Sequence, residues 1–187
     1  MAADLNFDSD LNDSQLVALA QADRAAFGIL YRRHVTRIYR YIYARVGQAQ
    51  TAEDLTAQVF LIALQALPRY REQGTFAAWL VGIARNTTAE HFRSARPLIA
   101  LDDQIEQVSA GSAEDSLQQI DEIELVARAL RQIADDRADV VRLRIFAGLS
   151  TLETAQTLGK TEAAVKMLLH RALRDLRQYI RLHEVQP

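Results

Sequence analysis

The chain has 187 residues, enough for one ordinary domain or two small ones, and 49% of them are apolar, so it can bury a core. It has no cysteine, which excludes structural disulfides and cysteine-based zinc sites, and its four histidines (His34, His91, His170, His183) lack metal-ligand spacing. The net charge of −2 hides a division along the chain: residues 1–20 carry −4, residues 21–96 carry +6, residues 97–127 carry −8 and residues 128–187 carry +4.

Only 3 prolines and 7 glycines punctuate the sequence, and alternating runs rich in Val, Ile and Thr are missing. An all-α fold follows. No apolar run approaches the roughly 18–20 residues needed to cross a bilayer. The start, "MAADLNFDSDLNDS", is acidic and polar, unlike a signal peptide. A cytoplasmic location without membrane insertion is expected.

In chain order, "ADRAAFGILYRRHVTRIYRYIYARVG" predicts a long amphipathic helix. Its apolar stripe is Phe27, Leu30, Tyr31, Val35, Ile38, Tyr39 and Ile42, and Gly47 ends it. Thr51, with Asp54 three residues on, is expected to cap a second helix, "AEDLTAQVFLIALQAL", which Pro68 stops. After "RYREQG" a further helix covers "TFAAWLVGIARNTTAEHFRSA". There "AAWLVGIA" reads as a buried face, which puts Trp79 in the core.

A boundary follows. "PLIALDDQIEQVSAGSAEDSLQQ" opens on Pro97, carries Ser-Ala-Gly-Ser at 109–112 and has no sustained helical period. The expected organisation is a helical domain over 10–96, an acidic linker over 97–119 and a second helical domain over 120–183. In the second domain "DEIELVARALRQI" and "RADVVRLRIFAG" are amphipathic helices. Ser150 and Glu153 then form a capping box opening "TLETAQTLG", Gly159 ends that helix, and Thr161 caps the last one.

The tail has the spacing of a helix-turn-helix, with Ala155 allowing close approach and Leu158, Val165 and Leu169 setting the angle. Advancing about 100° per residue from Val165 puts Leu168, Leu169, Ala172, Leu173 and Leu176 on one side of the last helix. Lys166, Met167, His170, Arg174 and Arg177 fall on the other, with Arg171 at the border. Acids are nearly absent from that outer side.

Four segments in this order resemble the extracytoplasmic-function sigma factors, subunits that give bacterial RNA polymerase its promoter specificity. "FGILYRRHVTRIYRYIYARVG" resembles the first helix of their promoter-melting domain, and "AEDLTAQVFLIALQAL" the helix that binds the polymerase core. "TFAAWLVGIARNTTAEHFR" resembles the helix that handles the melted element. "VVRLRIFAGLSTLETAQTLGKTEAAVKMLLHRALRDL" resembles the C-terminal helix-turn-helix domain. The resemblance spans about residues 14–183.

The resemblance implies a non-catalytic protein without cofactor or metal. Its implied partners are core RNA polymerase, promoter DNA (a duplex minus-35 element and a melted minus-10 element) and an anti-sigma factor. It assigns polymerase binding to Asp54, Leu55, Gln58, Val59 and Phe60. It assigns the melted strand to Tyr70, Arg71, Phe76, Arg85, Asn86 and Arg93, the 70–75 loop capturing a flipped base. Aromatic faces stack unpaired bases and basic groups hold phosphates, each stacked base contributing about 1–3 kcal/mol. The duplex falls to Lys166, Met167, His170, Arg171 and Arg174, with Met167 suited to a thymine methyl.

The chain departs from the family pattern in several places. Gln58 stands where the family often has an acid, "VKMLLHRA" replaces the commoner "VKSRLHRA", and Thr154 and Lys160 take usually aliphatic positions. In the family the linker threads a basic channel of the polymerase. The eight acids of 97–127 either mimic nucleic acid there or serve as a solvated tether. The competing function is a helix-turn-helix regulator acting on duplex DNA without the polymerase. An enzyme is disfavoured because no P-loop, GxSxG or HExxH motif occurs.

Overall fold

The computed structural model describes residues 11–95 and 125–184, which form helices and turns without a strand. The acidic linker expected over 97–119 lies outside them. Among the described residues, the N-terminal half has four α-helices: α1 (Asp13–Ala22), α2 (Phe27–Val46), α3 (Ala49–Ala66) and α4 (Phe76–Ala95). The described C-terminal residues form α5 (described over 125–130), α6 (Asp135–Val141), α7 (Thr151–Leu158) and α8 (Glu162–Glu184).

α1 is an addition to the sequence-based reading. Its start is a capping box: the Asn12 side chain accepts from the Gln15 amide at 2.9 Å, and the Gln15 side chain accepts from the Asn12 amide at 3.0 Å. Leu16, Val17 and Ala20 form its buried side. α2 ends where expected, at Gly47, whose φ of 74° lies in the left-handed region that favours glycine.

The start of α3 differs from expectation. The helix begins at Ala49 with Gln48 as its N-cap, so Thr51 lies inside the first turn. Its hydroxyl donates to Gln48 Oε1 at 2.5 Å and caps no backbone amide. Gly47 has already reversed the chain, so the helix restarts three residues earlier than the Thr51–Asp54 spacing suggested. α3 closes as expected in a short 3-10 turn, Leu67–Arg69, containing Pro68.

The C-terminal caps match the sequence. Ser150 Oγ accepts from the Glu153 amide at 3.1 Å while Glu153 Oε2 accepts from the Ser150 amide at 2.7 Å. Gly159 ends α7 at φ 61°, and Thr161 Oγ1 accepts from the Ala164 amide at 3.2 Å to start α8. Between α6 and α7 the backbone widens into a five-residue π-helical segment, Arg142–Phe146, closed by Ala147 N–H donating to the Arg142 carbonyl at 2.9 Å.

Among the described residues, three apolar clusters hold the helices together. One joins α1–α4 through Leu30, Ile38, Ile42, Val59 and Leu80, and it also takes in Leu143, Ala147 and Leu149 from the C-terminal half. A second places Ala44 of α2 among Leu130, Val141, Ala172 and Leu176. A third packs Val140 of α6 against Ala155, Val165 and Leu168 of the helix-turn-helix. The near-neighbours Val140, Val141 and Leu143 thus belong to three different clusters. The two halves pack on each other along α2 and the π-helical segment rather than standing apart.

Polar contacts reinforce that seam. Buried Arg142 donates from Nε to the Ala44 carbonyl at 3.1 Å and from Nη1 to Asp139 at 3.1 Å. Arg45 meets the same Asp139 carboxylate at 2.8 Å. The Ala44 carbonyl is near the C-terminal end of α2, where backbone acceptors lack intrahelical partners. Burial lowers the Arg142 pKa and the neighbouring Asp139 carboxylate opposes that shift.

Candidate nucleic-acid and polymerase surfaces

The outer face of α3 is set by its period. Leu55, Val59 and Phe60 point inward and are buried, Phe60 packing edge-on against Tyr31 at 4.8 Å between ring centroids. Of the five residues assigned to polymerase binding, only Asp54 and Gln58 are exposed. Leu61, which is 56% exposed, lies three residues beyond Gln58 and so continues their stripe. Beside this stripe runs a groove of about 330 Å³ between α2 and α3, lined by Tyr31, Val35, Tyr39 and Ala57 among others.

The loop between α3 and α4 forms a second surface. Tyr70 and Trp79 face each other at 4.6 Å between ring centroids, and both touch Phe76. Phe76 is buried, enclosed also by His34 at 5.5 Å, so it supports the rings above it and offers no free face. Trp79, expected in the core, is only half-buried and lines a cleft of about 480 Å³ with Tyr70, Arg69 and Arg71. Helical period explains the difference: within "AAWLVGIA" the buried side is Ala77, Leu80, Val81 and Ala84, which leaves Trp79 at the rim. Further along α4, Asn86 and Arg93 are exposed and Arg85 is partly so. Arg93 pairs with Glu90 one turn back.

The third surface is α8. Val165, Leu168, Ala172 and Leu176 are buried, whereas Lys166, His170, Arg171 and Arg174 are exposed. Met167 is 49% exposed and Leu168 only 8%, the split that projecting the helix predicts. The helix's inward-leaning acid, Asp175, pairs with Arg137 of α6 and leaves the outer face positive. Arg177, Gln178 and Arg181 extend that face toward the C-terminus, where with Arg174 they line a shallow cleft of about 390 Å³.

A helix-turn-helix with a basic outer face, an aromatic-basic loop and an acid-apolar helix stripe are therefore carried by one chain. Residues 30–97 match the family model for sigma-70 region 2, and residues 123–176 match that for sigma-70 region 4. The chain is 43% identical to the ECF RNA polymerase sigma factor BldN of Streptomyces coelicolor over 168 residues, 87% of this chain and 63% of BldN. It is also 32% identical to the ECF RNA polymerase sigma factor SigL of Mycobacterium tuberculosis, over 84% of this chain and 90% of SigL.

The chain belongs to the sigma-70 family, in its extracytoplasmic-function branch. The fold of this sigma-70 family chain is that of RpoE from Bartonella quintana, solved in complex with the anti-sigma factor NepR (TM-score 0.64, 18% identity, covering 86% of this chain and 98% of that one). It spans less than two thirds of BldN's length.

Glu153, whose pKa is shifted, lines the cleft of the sigma chain, and His34, also shifted, lies behind Phe76. His34 is buried under Phe76 with Nε2 at 2.8 Å from Asp13 Oδ2. Burial lowers its pKa; Asp13 opposes the shift, while Arg37 and Arg33 add to it. Glu153 of α7 reaches the cleft from the opposite side and accepts from the Thr75 hydroxyl. Partial burial raises its pKa, but hydrogen bonds from Ser150 and Thr75 together with Arg37 outweigh that and leave it lowered.

Proposed function

We propose that this chain is a promoter-recognition subunit: it binds bacterial core RNA polymerase, places it on promoters and stabilises the melted strand at initiation. One observation carries the reading. A single chain holds both a duplex-reading helix with a basic outer face and a separate aromatic-basic cleft suited to unpaired bases. A regulator acting only on duplex DNA has no use for the second.

In this reading Asp54, Gln58 and exposed Leu61 meet the core polymerase. Leu55, Val59 and Phe60 hold that stripe in place from beneath. Tyr70 and Trp79 stack a base of the minus-10 strand over the Phe76 platform, and Arg71, Arg85 and Arg93 hold its phosphates. Asn86 offers both donor and acceptor to a base edge. Lys166, Met167, His170, Arg171 and Arg174 enter the major groove of the minus-35 element, phosphate contacts setting position and base contacts setting choice.

The domain boundaries that go with this are 10–96 and 120–183, joined by the acidic segment 97–119. The protein acts in the cytoplasm, where the polymerase is, performs no catalysis of its own and is held in check by an anti-sigma factor. Among the described residues no helix is long and apolar enough to cross a membrane.

The test is reconstitution. Purified chain added to sigma-free core polymerase is expected to co-migrate with it and to start transcripts at discrete promoters. A chain that binds duplex DNA but never associates with core would instead be an ordinary helix-turn-helix regulator.

A further inference from the structure

α1 lies ahead of the stretch that matches the region 2 model, which begins at residue 30, yet it reaches the loop that carries Tyr70. Gln21, in the last turn of α1, donates from Nε2 to the Leu67 carbonyl at 2.9 Å and to the Tyr70 carbonyl at 3.0 Å. Both neighbours of that atom are acceptors, and a primary amide nitrogen has two hydrogens to give, so both are used here. The Leu67 carbonyl also accepts from the Tyr70 amide at 3.0 Å, closing the 3-10 turn. Gln21 thus clasps the turn at its first residue and at its C-cap. Seven residues earlier on the same side of α1, the Ser14 hydroxyl donates to the Glu72 carboxylate.

The loop needs such an anchor. From Arg71 to Thr75 every residue is exposed, and Gly74 sits at φ 136°. Exposed backbone has no packing of its own to fix its course, and ordering it at the moment of binding costs affinity. The Tyr70 ring lies 4.6 Å from Trp79 and 5.8 Å from Phe76, so a rotation of the Tyr70 backbone swings it off both.

We propose that Gln21 is a positioning residue for promoter melting: its two hydrogen bonds preset the 67–70 turn, so that Tyr70 stands beside Trp79 before an unpaired base arrives. The inference rests on the reading of this cleft as the melted-strand site. It adds to that site a side chain that does not itself line the cleft.

The test is a double-mutant cycle on the reconstituted holoenzyme, read as open-complex lifetime under heparin challenge on a promoter that the holoenzyme itself selects. Gln21→Met keeps the length of the side chain and removes both donors. Alone it is expected to shorten the lifetime by roughly fivefold or more, while association with core stays within about twofold of wild type. In a Tyr70→Ala background the same change is expected to cost less than about 1.5-fold, because the ring it positions is gone. A full lifetime in Gln21→Met, or an equal loss in both backgrounds, overturns the positioning role alone. If Tyr70→Ala by itself leaves the lifetime unchanged, the cleft is not the melted-strand site and both readings fall.

Trp79 is the chain's one tryptophan, so emission from the free chain reports on the ring pair directly. In Gln21→Met that emission is expected to shift to the red as Tyr70 leaves the indole to solvent. The melting temperature should barely move, because Gln21 is exposed, Leu67 keeps the Tyr70 amide and the Tyr70 carbonyl can turn to water. An emission spectrum identical to wild type would mean that the ring pair holds without the clasp, and the proposal would be wrong.

Discussion

At the scale of single residues, the helix-turn-helix turns on Met167. It sits among Lys166, His170 and Arg171 on the exposed side of α8, an apolar group in a basic surface. Met167→Ser is expected to change which base is preferred at one minus-35 position while altering stability by less than about 0.5 kcal/mol. Promoter selection with randomised sites, together with thermal melting, checks both halves of that statement. His34 gives a pH prediction whose sign follows from burial. Its folded pKa is lowered, so below the unfolded value near 6.5 the unfolded chain binds more protons than the folded one. The stability linked to His34 is present in full above that pH and declines as pH falls through the window beneath it. Melting temperature should therefore drop from pH 7 to pH 5 more steeply in the wild type than in His34→Gln, which keeps a donor for Asp13.

At the scale of elements, the α3 stripe predicts that Leu61→Asp weakens the complex with core polymerase by more than tenfold, measured by competition, with little loss of fold because the side chain is exposed. Leu61 was open to discovery from sequence: it follows Asp54 by seven residues and Gln58 by three, which puts all three on one helix face. The apolar assignments Leu55, Val59 and Phe60 went inward because a motif match names positions and says nothing of the side they face. Caps were the most legible elements. Ser150–Glu153, Gly159 and Thr161 each carry their geometry in residue type and spacing, and the structure reproduces all three. Thr51 misled because Ser/Thr-x-x-acid spacing also occurs one turn inside a helix. Asn12–Gln15 carries the same kind of signal as the other caps, but it introduces α1 within an acidic stretch whose charge masks a short apolar face.

At the scale of the whole molecule, the two-part, all-helical organisation could be read from periodicity and charge, whereas the seam between the parts could not. The seam depends on Ala44 being small and on Arg142 reaching a carbonyl 98 residues away, and no local pattern encodes such a pair. Because apolar clusters run across it, the free chain should unfold in one calorimetric transition despite its two family regions. Arg142→Met should cost about 3 kcal/mol, at the lower end for a broken buried pair because Asp139 keeps Arg45 as a partner. Scanning calorimetry measures both. The meeting of three clusters on Val140, Val141 and Leu143 has one more consequence. A helix of seven residues has no stability of its own, so the amides of Val140 and Val141, with that of Leu143 in the adjoining π-helical segment, draw their protection from the clusters their side chains enter. In deuterated water they should be among the slowest in the chain to exchange, outlasting those in the outer turns of the far longer α8.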